Sequence, residues 1–380
     1  MPDQPITLTS ALSHHPIVPE QGSSRVWGLP SNWGRWLRRI TPVVLTPLIF
    51  GFAPHIYNNL VFLTTMVVYV VLAEGVNLLY GFTGYLPFGY VGFFGAGAYG
   101  AALSLLYWHV PGLVAVLIGG LAASLIGLLL SPLLRLSGAY FAMATLAASQ
   151  VLYYIVVNEP WTFGSSGVSL PQVFSNTQIY LLALVVMAIA IATTVFIRES
   201  RFGLSLMAIR SDPVSAAMAG INVVKARTLA WFISAAMAGL AGAVWAIMTA
   251  FFYAEYPFDL TISVLAIVFA MFGGVRTVLG PVVGAVLLYS FHQYIGVSNP
   301  QYFQLLYGAL IVVLVLFLPG GLSSLVGSPG NRPKWWRFLT SRGTAIPTSR
   351  TGAVSTVERD AEITSSAGKL HPERVDNDDE

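Results

Sequence analysis

Cysteine is absent from the 380 residues of this chain, which excludes disulfide bonds, thiolate metal sites and cysteine nucleophiles. Charge is also scarce, because only 9% of the residues are Asp, Glu, Lys or Arg, whereas soluble domains carry about 25%. Hydrophobic residues make up 56% of the chain, and the mean hydropathy is +0.72. No soluble core could bury so much apolar surface. The composition therefore predicts an all-α, polytopic transmembrane helical bundle.

The sequence motifs of several enzyme classes are missing as well. His-Glu-x-x-His does not occur, and no hydrophobic segment holds a pair of aspartates. The dipeptide Gly368–Lys369 has neither the earlier glycine nor the following Ser or Thr of a phosphate-binding loop. We therefore expect no enzymatic activity, no cofactor or metal, and no ATP hydrolysis by this chain alone. Energy for active transport would come from another protein or from an ion gradient.

Apolar runs long enough to cross a bilayer recur along the chain. A transmembrane helix needs about 20 apolar residues, and this window predicts ten spans with both termini in the cytoplasm. The predicted spans are 38–54, 58–80, 90–107, 111–134, 138–157, 178–197, 228–252, 259–275, 281–296 and 303–325. They predict a permease domain over 38–326, flanked by a cytoplasmic N-terminal segment 1–37 and a disordered cytoplasmic tail 327–380.

Basic residues are confined to alternate connections between these spans. Of the 13 charged residues between Ile40 and Val326, seven lie in the connection 198–227. With the N-terminus inside, Arg135 and Arg276 fall on the same side as this connection, and the opposite connections contain no Lys or Arg. The positive-inside rule then places the basic side in the cytoplasm. The connection 198–228 is thus where a soluble partner could bind.

A short helix is predicted within this basic connection. Asp212 suits an N-cap, Pro213 suits the first helical position, and Gly220 suits a helix stop. Between them, the small side chains of Ala216 and Ala217 would allow close approach to a groove on a soluble partner. From these residues alone, a solvated connector with a fortuitous cap is an equally open interpretation.

Glu74 is the single acidic residue deep within a predicted span. An ionisable group at membrane depth is costly and indicates function by default, so Glu74 could couple a proton or, with Asn77, shape a polar stretch of a transport pathway. The alternative is a hydrogen bond between packed helices close to the inner interface, which a long side chain can reach.

Residues 81–89 interrupt the apolar run that begins at the second span. The segment contains three glycines and a proline, including Gly84, Pro87 and Gly89. Non-helical backbone is not tolerated in contact with lipid. We therefore expect this segment to be shielded by protein or to lie at the membrane interface.

These segments also resemble a known family. Residues 201–243 are similar to the cytoplasmic loop and following helix of the branched-chain amino-acid ABC transporter permeases, in particular the M-type membrane subunit. Similar stretches follow in the same order as in the family at 77–103, 162–171, 272–285 and 317–325. The chain departs from the family pattern at 215–220, which lacks a glutamate, and at 84–90.

The resemblance implies an importer subunit for branched-chain or related amino acids in a bacterial or archaeal plasma (inner) membrane. Its implied partners are a second homologous permease, two ATP-binding cassette ATPase subunits and an extracytoplasmic solute-binding protein, with no nucleic acid. It further implies that the ATPase docks on a coupling helix and that the segment 84–89 lies beside the pathway. The coupling residues would be Arg210, Asp212, Pro213, Ala216, Ala217 and Gly220.

Other functions stay open at this point. Permeases of this family type also import urea and short amides, so the substrate could differ. An ion-coupled secondary transporter that works alone would use Glu74 as its coupling residue. An intramembrane enzyme is disfavoured because the chain lacks a catalytic constellation.

Overall fold

The computed structural model describes residues 31–163, 166–172, 174–298, 308–309 and 322. Eleven α-helices account for most of this part of the chain. They are α1 (Ser31–Ile56), α2 (Leu60–Val76), α3 (Val91–Trp108), α4 (Gly112–Leu129), α5 (Ala139–Asn158), α6 (Asn176–Glu199), α7 (Arg201–Ser211), α8 (Pro213–Met218), α9 (Val223–Thr249), α10 (Leu260–Gly273) and α11 (Gly280–Ser298). A π-helical turn, Asn77–Gly81, continues α2, and short 3-10 turns cover Phe88–Tyr90, Ser131–Arg135, Pro160–Thr162 and Tyr256–Phe258.

Nine of the predicted spans coincide with helices. Six helical segments in the described residues are long and apolar enough to cross a membrane, so the chain is a multi-pass helical membrane protein. By contrast, α10 has 14 residues and rises about 21 Å, which is less than the roughly 30 Å of a hydrocarbon core. The predicted tenth span and the predicted tail lie outside the described residues, except for positions 308, 309 and 322. The count of ten and the orientation therefore stay predictions.

The basic connection is mostly helical, which differs from the expected long loop. Three polar side chains mark the starts of the helices in this connection. Each accepts a hydrogen bond from a backbone amide in the first turn of the helix that follows it. Ser200 accepts from the Gly203 amide at 3.1 Å and begins α7. Asp212 begins α8 in the same way, and Asn222 begins α9 five residues before the predicted span. Of these three helix starts, only the one at Asp212 was predicted from the sequence.

A pair of short strands was not expected in an all-α fold. Strand β1 (Val168–Ser169) pairs antiparallel with β2 (Phe251–Phe252), so that Val168 lies opposite Phe252. The pair joins the connection after α5 to the connection after α9. Both connections were predicted to lie on the side without basic residues, and the pairing brings them together at one end of the bundle.

The centre of the bundle is formed where α3, α4 and α9 approach closely. A methyl group placed on Gly97 would lie 2.2 Å from the carbonyl oxygen of Gly239, and one placed on Gly119 would lie 2.5 Å from the carbonyl oxygen of Gly97. Small residues at four-residue spacing allow such backbone contact between membrane helices. These small residues therefore pack helices within one chain.

The arginines of the alternate connections meet at the other end of the bundle, which we call the basic end. Arg135, Arg210 and Arg227 line a single cavity. The backbone amide of Arg276 donates to the Asn77 side chain, where α2 ends. The basic end is thus built from four segments that are far apart in the sequence.

Candidate functional site

Helix α8 at the basic end has the predicted cap and stop. Asp212 accepts hydrogen bonds from the Val214 amide at 2.9 Å and from the amide and hydroxyl of Ser215. The Ser215 hydroxyl, followed by the Val214 amide, holds the pKa of the Asp212 carboxyl below its usual value. Pro213 occupies the first turn. Gly220 has φ +84°, a left-handed conformation that favours glycine, and it lies two residues beyond the end of the helix at Met218.

The two alanines of α8 face in different directions. Ala216 is only 4% exposed and packs against the rest of the chain. Ala217 is exposed, as are Val214 and Met218. The expectation that both alanines present a surface to a partner is therefore wrong for Ala216. Val214, Ala217 and Met218, spaced three and four residues apart, form an exposed apolar ridge on α8.

Arg210, near the end of α7, is bound to the end of α2. Its Nη1 atom donates to the carbonyl oxygen of Tyr80 at 2.8 Å and also to that of Gly81. Its guanidinium carbon lies 5.4 Å from the centre of the Tyr80 ring, within the range of a cation–π contact. Burial, followed by repulsion from Arg276, lowers the pKa of Arg210 from its usual value. The segment that leads into α8 is thus bound directly to the end of a core helix.

Asn77 links another segment, the connection between α10 and α11, to the end of α2. It lies in the π-helical turn after α2 and is fully buried. Its side-chain oxygen accepts from the Arg276 amide at 2.7 Å, and its side-chain nitrogen donates to the Thr277 carbonyl oxygen at 2.9 Å. Both bonds hold the connection between α10 and α11. Asn77 therefore joins the end of α2 to the connection between α10 and α11.

Glu74 lies on α2, about one turn before Asn77. Its side chain is fully buried and faces α6. One carboxyl oxygen accepts from the Thr194 hydroxyl at 2.9 Å. The other carboxyl oxygen makes no hydrogen bond of ordinary geometry among the described residues, although the Asn77 side chain is near enough to interact with the same carboxyl group. The carboxyl group is therefore only partly satisfied. The hydrogen bond from Thr194 joins α2 to α6, as expected for a residue that packs two helices together. The second carboxyl oxygen could accept a proton, which a role in ion coupling would require.

Residues 81–89 are shielded mainly by α5. Gly84 has φ +83° and is exposed, whereas Pro87 and Gly89 are buried. The Gly89 amide donates to the Thr145 hydroxyl at 3.3 Å, and a methyl group on Gly89 would overlap the Thr145 backbone. Most of the non-helical backbone is thus covered by protein, which is one of the two arrangements expected for it.

A cavity of about 770 Å³ lies beside these contacts, and we call it the arginine cavity. Arg135, Arg210 and Arg227 line it, and no acidic side chain is among its lining residues. The Arg227 guanidinium lies 4.6 Å from the centre of the Tyr85 ring. The remaining wall is largely apolar and includes Leu86, Phe88, Phe141, Met143 and Leu146. Sequence reasoning missed this cavity because its lining comes from three connections that are far apart in the sequence.

Comparison with known proteins gives the family. Residues 58–315 match the family described as branched-chain amino acid transport system / permease component. Over 293 residues, the chain is 29% identical to the high-affinity branched-chain amino acid transport system permease protein LivM of Escherichia coli (strain K12) and 28% identical to LivM of Salmonella typhimurium. Each alignment covers 68% of this chain and 68% of the relative.

A second type of relative also matches. The permease protein LivH of Salmonella typhimurium, from the same kind of transport system, is 26% identical over 185 residues, which are 42% of this chain and 57% of LivH. No solved structure matches the chain. The family match covers more than half of the residues and contains Arg135, Arg210, Arg227 and Arg276, the four arginines placed at the basic end. This chain belongs to the branched-chain amino acid transport system permease family.

Proposed function

We propose that this chain is a membrane-spanning permease subunit of an ABC importer for branched-chain or related amino acids in a bacterial inner membrane. The observation that carries the proposal is α8, a capped helix with an exposed apolar ridge at the basic end. Family membership supports the transport role. The lack of a phosphate-binding loop in the sequence supports an energy source outside this chain.

The proposed assembly contains further subunits. Because both LivM and LivH are permease proteins of such transport systems, a second, homologous permease is the expected membrane partner. Two ATP-binding cassette ATPase subunits would bind at the basic end. An extracytoplasmic solute-binding protein would deliver the amino acid at the opposite end, near the β1–β2 pair. The positive-inside rule supports this orientation.

Coupling would begin at the exposed ridge of α8. Val214, Ala217 and Met218 would lie in a groove of the ATPase, in the manner of an amphipathic helix bound to a partner. Movement of α8 would pass through α7 to Arg210. From Arg210 it would reach the end of α2 through the carbonyl groups of Tyr80 and Gly81. This path connects the docking surface to a core helix by direct hydrogen bonds.

Replacement of Ala217 by tryptophan tests the docking role. The large side chain would project from the exposed ridge, so Ala217→Trp should insert in the membrane normally but lose ATP-dependent uptake and co-purification of the ATPase. Val224→Trp is a matched control, because Val224 is 71% exposed at the same end but lies on α9. Normal uptake by Ala217→Trp, with the ATPase still bound, would show that α8 is only a connector.

Substrate choice is tested separately by uptake assays. We expect leucine, isoleucine and valine to compete with one another for uptake by the assembled transporter. Competition by urea or a short amide, with no effect of the amino acids, would assign the transporter to the alternative substrate class.

An ion-coupled secondary transporter is a second candidate, favoured by the buried carboxyl of Glu74 and its unpaired oxygen. In Glu74→Gln, the amide oxygen can still accept from Thr194, so a packing role predicts normal uptake and a change in stability of about 1 kcal/mol. Loss of uptake with the ATPase still bound, together with proton dependence at fixed ATP in the unmodified protein, would favour coupling by Glu74. Thr194→Val is the complementary variant, because it removes the hydrogen bond that Glu74→Gln retains and keeps the carboxyl group.

A further inference from the structure

We propose that the arginine cavity binds the phosphate headgroup of an anionic phospholipid from the leaflet at the basic end. The acyl chains of this lipid would extend along the exposed surface of α5. Basic pockets between membrane helices are suited to such headgroups. The cavity lining includes Pro213, the first residue of α8, but none of the three ridge residues Val214, Ala217 and Met218.

The charge of the cavity favours an anion. Three guanidinium groups line it, and none of its lining residues is acidic. Arg210 uses one nitrogen, Nη1, for the carbonyl groups of Tyr80 and Gly81. The buried Nε of Arg227 has no hydrogen-bond partner among the described residues. Guanidinium groups match the geometry of phosphate oxygens well, so an anionic group would complete a site with unused donors.

The N-terminus of α5 adds a second source of donors. Gly138 and Ala139 line the cavity, and no side chain caps the first turn of this 20-residue helix. The first amides of a helix have no partner within the helix, and they favour phosphate groups. The uncapped turn therefore opens onto the same cavity as the arginines.

The apolar wall points to a lipid and not to a free ion. Phe88, Phe141 and Leu146 line the cavity, and Met143 on α5 is 60% exposed. Of the six helical segments that are long and apolar enough to cross a membrane, α5 is the least buried. Within its apolar stretch 17% is buried, compared with 44–83% for the other five. Its exposed apolar side continues from Met143 at the cavity to Val151, Tyr154 and Ile155 farther along the helix. Acyl chains would cover this apolar surface, whereas inorganic phosphate would leave it bare.

Two other occupants fit less well. A free amino acid carries an ammonium group, and the cavity offers no carboxylate to bind it. An acidic side chain of the ATPase would satisfy the arginines but would leave the apolar wall unfilled. The combination of an anionic head and an apolar tail satisfies both parts of the cavity.

Lipid titration of the full-length chain in detergent tests this proposal by native mass spectrometry. Phosphatidylglycerol should bind about tenfold more tightly than phosphatidylcholine with the same acyl chains. Arg135→Gln should weaken phosphatidylglycerol binding about fivefold, as expected for the loss of one basic residue near an anionic headgroup. Arg135 is exposed, so this variant should fold. Arg201→Gln removes an exposed arginine outside the cavity and should have no effect.

A second variant tests the charge selectivity of the cavity. Met143→Glu places a negative charge at an exposed position of the cavity and should weaken phosphatidylglycerol binding while phosphatidylcholine binding changes little. Equal binding of the two lipids, or unchanged binding by Arg135→Gln, would overturn the proposal. Equal affinity for inorganic phosphate alone would reassign the site to a free anion. Loss of the lipid when the co-purifying ATPase is bound would assign the arginines to the ATPase.

Discussion

Replacement of Arg210 by methionine should disconnect α7 from the end of α2. Methionine keeps an unbranched side chain but cannot donate to the carbonyl groups of Tyr80 and Gly81. A hydrogen bond to a charged donor contributes about 1.5–3 kcal/mol when buried. Since Arg210 is half-exposed and solvent screens its charge, we expect the two bonds together to contribute about 2 kcal/mol. That free energy corresponds to about a 30-fold change in the equilibrium between attached and released α7.

Hydrogen exchange and uptake assays measure the two consequences of this change. Amides in the segment 77–84 should exchange about 30-fold faster in Arg210→Met than in the unmodified protein. ATP-dependent uptake should fall strongly, while the ATPase still co-purifies because the ridge on α8 is intact. Arg210→Lys should give an intermediate result, since an ammonium group can donate to at least one of the carbonyl oxygens.

The matched control is Arg201→Met, because Arg201 lies at the exposed start of the same helix. It should leave both exchange and uptake unchanged. If Arg210→Met retains normal uptake and normal exchange in 77–84, then Arg210 does not transmit movement from α8, and the coupling path must run through other contacts.

Three further variants test the bundle, the turn after α8 and the orientation. Gly97→Ala should prevent stable folding, because its methyl group would lie 2.2 Å from the Gly239 carbonyl oxygen, whereas Gly51→Ala, with nothing within 4 Å, should be neutral in a thermal unfolding assay. Gly220→Val should cost about 1–3 kcal/mol because valine is strained at φ +84°, and normal ATPase co-purification by this variant would show that the turn does not position α8. Arg201→Cys provides a unique thiol, since the chain has no cysteine. A membrane-impermeant reagent should label it in inside-out vesicles, and labelling in intact cells would reverse the proposed orientation.

Features that depend on neighbouring residues could be predicted from the sequence. Nine of the ten predicted spans coincide with helices, because a helix in a membrane satisfies its own backbone hydrogen bonds and its length follows from the thickness of the bilayer. The cap at Asp212 and the stop at Gly220 were also predictable, since both conformations arise within a few residues. The family resemblance came from the order of several such segments, and the comparison with known proteins confirmed it.

Contacts between distant segments came only from the tertiary structure. Arg210 and Tyr80 are 130 residues apart, and nothing near either residue indicates that they meet. The burial of Ala216 beside the exposed Ala217 depends on which side of α8 faces the bundle. Likewise, the arginine cavity exists because packing brings three connections to one end. Local propensity and hydropathy describe each segment alone, whereas side-chain contacts depend on how the helices pack, and packing sets which polar groups meet.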